Sequence, residues 1–450
     1  MGEEASLAHR TRGLLCYNCS GMKPKLQVAL DFTELDRALK VAEEVAAAGE
    51  VILEAGTPLI KSCGLEAVRA MRKRFPSAVI VADMKVMDTG RIEAEMAFKA
   101  GASVVTVMGN ASDGTIREAV RAAGNYGGKV LVDLMEEAAT AHRAQEAEKL
   151  GCHIIGIHIP IDEQMSGEIS FSLLKEVAAA VTVPVAVAGG IHSANAARAV
   201  EAGASILIVG GAITKSADAR AATRDILSAM ETGKIVPTRF YRRVSLDGVK
   251  DAFAQVSTAN VSDALHRRGW LAGVLPVVRG AKAAGPAVTV RTYPGDWAKP
   301  VEAVDLAEPG SVIVIDAGGV PPAVWGELAT HSAVARKLAG VVIYGGIRDS
   351  ADIRALNFPA YASLVCSAAG EPKGFGEINV PVRFGGQEIS PGDWIVCDDD
   401  GVVAVPKEQV VETANRAMDV LERENRLRKE IDSGGTLARI AELLKWEKPR

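Results

Sequence analysis

Short apolar runs rich in Val, Ile and Ala alternate with amphipathic stretches through the first half of the chain. Eight of the runs read as strands: Leu26–Asp31, Val51–Ala55, Ala78–Asp83, Ser103–Val107, Lys129–Asp133, His153–His158, Val183–Ala188 and Ser205–Val209. Each is short and rich in residues that fit a buried pleated surface. Between them, stretches such as Glu34–Ala48 and Ala111–Gly124 repeat apolar residues at helical spacing. Eight evenly spaced strand–helix units predict a parallel (β/α)8 barrel rather than a doubly wound open sheet. Barrel chemistry gathers where strands end. Titratable groups stand at five such ends: Asp31, Glu54, Asp83 with Lys85, Asp133 and His158. One polar residue closing a strand is commonplace, but five on one rim predict a shared mouth.

The texture changes near Arg243. Before it, Ile213–Arg242 reads as a last barrel helix and a connector holding Gly233 and Pro237. After it, Gly- and Pro-punctuated loops lengthen, and strand-like runs fall at Ala287–Thr292, Val312–Asp316, Gly340–Tyr344, Trp394–Val396 and Val402–Val405. From Lys407 to Leu444 the pattern is charged and helical. The second half does not repeat the first. The domain reading is therefore a leader at 1–22, a barrel at 23–228, a linker at 229–245, a second α/β domain at 246–430 and a tail at 431–450.

Composition narrows the partners. The 450 residues are 48% hydrophobic and 24% charged, which excludes a disordered or collagen-like chain. Lys and Arg total 51 against 56 acids, for a net charge of −5, with no sustained basic block and only 4% aromatics. Nucleic acid is not an expected partner. No apolar run approaches the ~18–20 residues of a membrane helix, and the first residues lead into no signal-type core. A cytoplasmic location and small-molecule substrates are expected. Six Cys form no disulfide framework, and Cys16 with Cys19 is half a zinc site at best.

The densest chemistry lies in Val81–Gly90, VADMKVMDTG. Asp83 and Lys85, two apart on a strand, are expected to point to one face. Asp88 lies three further on, past the strand end. Carboxylates around an ammonium keep it charged near a substrate oxygen, where it can stabilise an enediolate. From spacing alone, a surface ion-pair cluster is the other reading.

DMKVMD resembles the D-x-K-x-x-D signature of the orotidine-phosphate decarboxylase suprafamily. LQVALDF, ILEAGTPLIKSCG, VADMKVMDTGRIEAEMAFKAGASVVTVMG, VLVDL, HIPIDEQ and VAVAGGI are similar to its 3-hexulose-6-phosphate synthase family, from Leu26 to about Leu227. That resemblance implies an aldehyde-lyase joining formaldehyde to D-ribulose 5-phosphate, reversibly. It implies Mg2+ (or Mn2+) on Glu54 and Asp83, with Lys85 adding positive charge beside the enediolate. Asp31 and Asp133 would position Lys85 and substrate hydroxyls. Asp88 would reach into a partner subunit's site, implying a dimer. His158 is the proton-transfer candidate, its ordinary pKa being near neutrality; a hydrogen-bonded barrel-mouth histidine is the other reading. Gly189–Gly190 and Gly210–Gly211, after the seventh and eighth strands, would admit the substrate phosphate. The related 3-keto-L-gulonate-6-phosphate decarboxylases place Arg three residues after the His, where this chain has Ile161. A metal-free orotidine decarboxylase would leave Glu54 unexplained.

In the second half, STANVSDAL, VRGAKAAGPAVTV, GSVIVIDAGG, WGELAT, GVVIYGGIRD and FGEINVPV resemble the RraA family, from about Val256 to Gln409. Its members include ribonuclease regulators and metal-dependent 4-hydroxy-4-methyl-2-oxoglutarate/oxaloacetate aldolases. The implied fold is a layered α/β/β/α domain, commonly trimeric. Arg348 suits a substrate carboxylate. Asp349 suits a divalent ion such as Mg2+, with Asp352 close by. Glu327 stands 21 residues before Arg348, where aldolase-type members are expected to have Asp. The backbone of Gly326, Glu327, Leu328 and Ala329 opens a helix and suits a carboxylate or enolate. A non-catalytic, protein-binding scaffold is the other reading. Trp297 reads as a packing anchor and Glu422–Lys429 as a solvated helix face.

Overall fold

In the first half, eight parallel strands close into a barrel: β1 Lys25–Leu30, β2 Ile52–Ala55, β3 Ile80–Val86, β4 Val104–Met108, β5 Lys129–Leu134, β6 Ile154–His158, β7 Val185–Ala188 and β8 Ile206–Val209. Each pairs with the next, and β8 returns to β1. All eight expected strands are present. The structure is a computed structural model and describes residues 23–135, 139–159, 164–165, 169–238 and 243–440. Expectations for the leader at 1–22 with Cys16 and Cys19, for Ile161, and for the tail beyond 440 lie outside those residues.

Alternation along the strands sorts the side chains. Ile52, Val81, Val104, Leu131, Ile154, Ala186 and Ile206 form one layer inside the barrel. Two residues further along their strands stand Glu54, Asp83, Thr106 and Asp133, on the same inward side and nearer the mouth. The intervening residues, such as Leu53, Ala82, Val105 and Val132, face the helices. On the helix Leu35–Ala46 the buried set is Ala38, Val41, Ala42 and Val45, the stripe expected of an amphipathic helix.

β3 departs from the simple pattern. It runs three residues past Asp83, and its register with β4 shifts between Ala82 and Val86. Inside that irregularity Lys85 takes a left-handed backbone, φ 47°. Plain alternation is therefore not what aims Lys85, as the spacing suggested; a bulge is.

The second half is a mixed α/β unit. Its main sheet runs in the order 401–405, 394–398, 283–291, 312–316, 340–347, 360–365 and 275–276. The strands 283–291, 312–316, 340–347 and 360–365 are mutually parallel. Segment 269–271 bonds back to the far end, Leu271 N–H to Val402 O at 3.0 Å and Ala404 N–H to Gly269 O at 2.8 Å, so the sheet nearly closes. Ile313, Ile315, Val341 and Ile343 fill one face, and Val312, Val314 and Val342 the other. Both faces are buried, so no polar alternation marks these strands.

By contacts, the helix Val410–Asp432 belongs to the second unit only as far as Leu421; from Glu422 it groups with the barrel. There the reading of a solvated face is corrected. Arg426 is 2% exposed and forks onto Glu44 at 2.9 Å through both terminal nitrogens, with Glu430 at 3.0 Å. Trp297 also differs from expectation. It is over a third exposed and ties a loop by donating to Gly370 O at 3.1 Å, rather than anchoring a core.

Candidate active sites

The barrel mouth is organised around Asp83. Its carboxylate is buried and accepts two hydroxyls, Thr57 Oγ1 on Oδ2 at 2.6 Å and Thr106 Oγ1 on Oδ1 at 2.7 Å. Lys85 Nζ lies 2.9 Å from Asp133 Oδ2 and 3.3 Å from Asp83 Oδ1. Burial pulls the Lys85 pKa down, but Asp83 and Asp133 outweigh it and hold the ammonium above its ordinary range. Glu54 is buried at the end of β2 and accepts from Gln27 Nε2 at 2.5 Å. Burial first, then Asp83 and Asp31, push its pKa well above the carboxylate range. Asp31, open to the mouth just past β1, is raised by desolvation and then by Asp83. His158 closes β6 and is half-buried at the same mouth.

Asp31, Glu54, Asp83, Lys85, Asp133 and His158 thus meet as expected. Asp88 does not join them within one chain. It is exposed ahead of the helix Gly90–Ala100, with no hydrogen bond or ion pair among the described residues. Gly189 and Gly190 are left-handed, φ 97° and 64°, just past β7, and a Cβ on Gly189 would stand 2.5 Å from Ile159 O. Past β8, Gly210 lies against Asp31, and the Lys215 side chain reaches over Gly211.

In the second unit, Arg348 and Asp349 follow the strand Gly340–Ile347. Asp349 is left-handed, φ 55°, so adjacent residues present their side chains together, with Arg348 Nε 3.2 Å from Asp349 Oδ2. That oxygen also accepts the Glu327 backbone N–H at 3.2 Å, so the start of the helix Glu327–Ala335 is already partly satisfied. Glu327 Oε1 lies 2.9 Å from His331 Nε2. Leu328 is 76% exposed and Ala329 is buried. Asp352 is exposed in the first turn of Ser350–Ala355, and its side chain bonds to none of these groups.

Residues 24–226 match the family described as Orotidine 5'-phosphate decarboxylase / HUMPS family. The 3-hexulose-6-phosphate synthase of Mycobacterium gastri is 41% identical over 206 residues, which are 46% of this chain and 99% of that protein. The chain belongs to this family. The 3-hexulose-6-phosphate synthase of Methylomonas aminofaciens is 42% identical over 201 residues, 44% of this chain and 96% of the relative. A HUMPS-family enzyme barrel is thus joined to a second domain, since residues 258–404 match the RraA-like family, described as Aldolase/RraA. The solved structure of the RNA-processing inhibitor RraA from Thermus thermophilis is 26% identical, covering 34% of this chain and 94% of that one, with a TM-score of 0.32.

Three groups around this HUMPS-family site escaped the sequence reading: Gln27, Thr57 and Thr106. For two of them a signal was present. Gln27 in LQVAL and Thr106 in VVTVM are lone polar residues inside apolar strands, and a buried polar group must find a partner. Among the described residues no three His, Cys, Asp or Glu gather as a metal site. The pair Glu54 and Asp83 nevertheless fits a hard divalent ion that keeps waters or substrate oxygens as its other ligands. Crowded buried carboxylates with a raised Glu54 pKa are what such a charge would relieve.

Proposed function

We propose that the barrel catalyses the reversible aldol condensation of formaldehyde with D-ribulose 5-phosphate, giving D-arabino-hex-3-ulose 6-phosphate. The observation that supports this most is the Lys85 ammonium held between Asp83 and Asp133 beside Glu54, in a barrel of this family. His158 takes a proton from C1 of the sugar phosphate. The electron pair left behind moves onto the C2 oxygen, and the charge of Lys85 stabilises the 1,2-enediolate. The pair on the C2 oxygen re-forms the carbonyl as C1 attacks formaldehyde, whose oxygen takes the proton held by His158. Asp133 holds Lys85 and, with Asp31, meets the sugar hydroxyls. The glycines after β7 and β8 give the phosphate close access to backbone. Mg2+ (or Mn2+) on Glu54 and Asp83 would supply Lewis-acid charge to the same oxygens. Formaldehyde offers little binding energy, so the phosphosugar carries the recognition. Without formaldehyde, the enzyme should exchange a C1 hydrogen of ribulose 5-phosphate with D2O, and His158→Ala should slow that exchange; an unchanged rate removes His158 from the step.

The barrel is proposed to work as a dimer. Asp88, unpartnered among the described residues, shares its surface with exposed Met87, Ile92 and Met96. A chain that sediments only as a monomer contradicts this. The RraA-like domain is proposed to act on a 2-oxo acid with a divalent ion, as an aldolase or oxaloacetate decarboxylase. Arg348, Asp349 and Glu327 gather for it, and trimers are the assembly proposed for this half. No described helix is long and apolar enough to cross a membrane; the cytoplasm is the proposed location.

A further inference from the structure

Lys85 is the residue on which the proposed chemistry turns, and its backbone is strained. A lysine at φ 47° sits in a region that L side chains rarely adopt. Such strain persists only where surrounding contacts hold it. The ladder between β3 and β4 does not, because their register slips between Ala82 and Val86. The backbone N–H of Lys85 instead donates to the Thr106 hydroxyl at 2.9 Å. The same hydroxyl donates its own hydrogen to Asp83 Oδ1 at 2.7 Å. Thr106 is 4% exposed and inward-facing on β4. One oxygen thus takes the place of a missing ladder bond and fixes a catalytic carboxylate.

We propose that Thr106 is a positioning residue that couples the bulged backbone of Lys85 to the Asp83 carboxylate. This rests on the reading of the barrel as a synthase, whose reaction needs the Lys85 ammonium held in a fixed place beside the Asp83 carboxylate. The geometry shows what the hydroxyl does. A hydroxyl can accept one bond and donate one simultaneously. Its donated bond occupies one lone pair of Asp83 Oδ1 and leaves the other facing the Lys85 ammonium, while Thr57 occupies one lone pair of Oδ2. Without the hydroxyl, the Lys85 N–H has no acceptor and the bulge loses what holds it. Lys85 Nζ would then no longer be fixed between its two carboxylates. A methyl group in its place fills the same space but makes neither bond, so the role is one of hydrogen bonding and not of volume.

Two substitutions in the full-length protein separate those terms. Thr106→Val keeps the shape and removes the hydroxyl; Thr106→Ser keeps the hydroxyl and removes a methyl. Thr106→Val should lower kcat about 10- to 100-fold, since small misplacements of reacting groups cost that much. The KM for ribulose 5-phosphate should stay within about threefold, because the phosphate contacts are elsewhere. Thr106→Ser should recover most of the rate. An activity-independent readout accompanies these: amide hydrogen exchange at Lys85, which should quicken about tenfold in Thr106→Val and not in Thr106→Ser. A single cooperative melting transition above the assay temperature shows that each of the three proteins is folded, Thr106→Val melting lower because a buried donor loses its acceptor. Wild-type exchange at Lys85 in Thr106→Val, or Thr106→Ser as impaired as Thr106→Val, overturns the proposal. A wild-type protein without formaldehyde-dependent turnover overturns the synthase reading instead, and the exchange comparison still decides the role of Thr106.

Discussion

Glu54 shows how a single buried carboxyl sets a pH dependence. Its folded pKa is raised by burial, Asp83 and Asp31, so the folded state prefers the protonated form. Protonated, it costs nothing extra; ionised, it weighs against folding, so the penalty is absent below the unfolded carboxylate pKa and complete above the folded one. Glu54→Gln should therefore raise the melting temperature of the metal-free protein at pH 8, on the order of 2–4 °C for each kcal/mol relieved. The gain should shrink as pH falls, and catalysis should be lost. Equal melting curves at pH 8 in a chelator contradict the account. At this scale the sequence was legible where one residue ends a strand: Asp31, Glu54, Asp83, Asp133 and His158 were all placed at one mouth because each closes an apolar run of the barrel. It was not legible where backbone geometry intervenes. Nothing in VADMKVMD announces that Lys85 is left-handed, and so the need for Thr106 was hidden.

Among the elements, the barrel strands were readable because each is a run of β-branched residues bounded by helical periodicity. The second unit was harder. Its strands at 323–325, 382–384 and 387–389 are three residues long, too short to show any period. Strand 360–365, AYASLV, mixes small and polar residues and was passed over. The helix Val410–Asp432 was recognised, but its charges were taken for a wet face. Arg426 is in fact enclosed by Glu44 and Glu430, with Arg37 on Glu430 at 2.9 Å. Buried charges lean on their partners, and removing one leaves the others uncompensated. Arg426→Ala should destabilise the barrel unit by about 3–5 kcal/mol, read as a lower urea midpoint. A loss within about 0.5 kcal/mol, the range of ordinary surface substitutions, would show that the network contributes little.

For the whole molecule, the change of texture near Arg243 separated two folds of different families before either was seen, because parallel barrels and mixed sheets use loops differently. The RraA-like site makes its own prediction: the full chain should release pyruvate from oxaloacetate with a divalent ion, and Arg348→Ala should reduce this at least tenfold, the effect of removing a charged contact worth ~1.5–3 kcal/mol. No release from oxaloacetate or other 2-oxo acids would make this half a binding or assembly module. The central claim rests on the barrel, and one assay addresses it directly: formaldehyde consumption by the purified full chain, with ribulose 5-phosphate and Mg2+ each present or omitted. Consumption should require both and vanish in Asp83→Ala. No consumption, with rapid turnover of 3-keto-L-gulonate 6-phosphate instead, would contradict it.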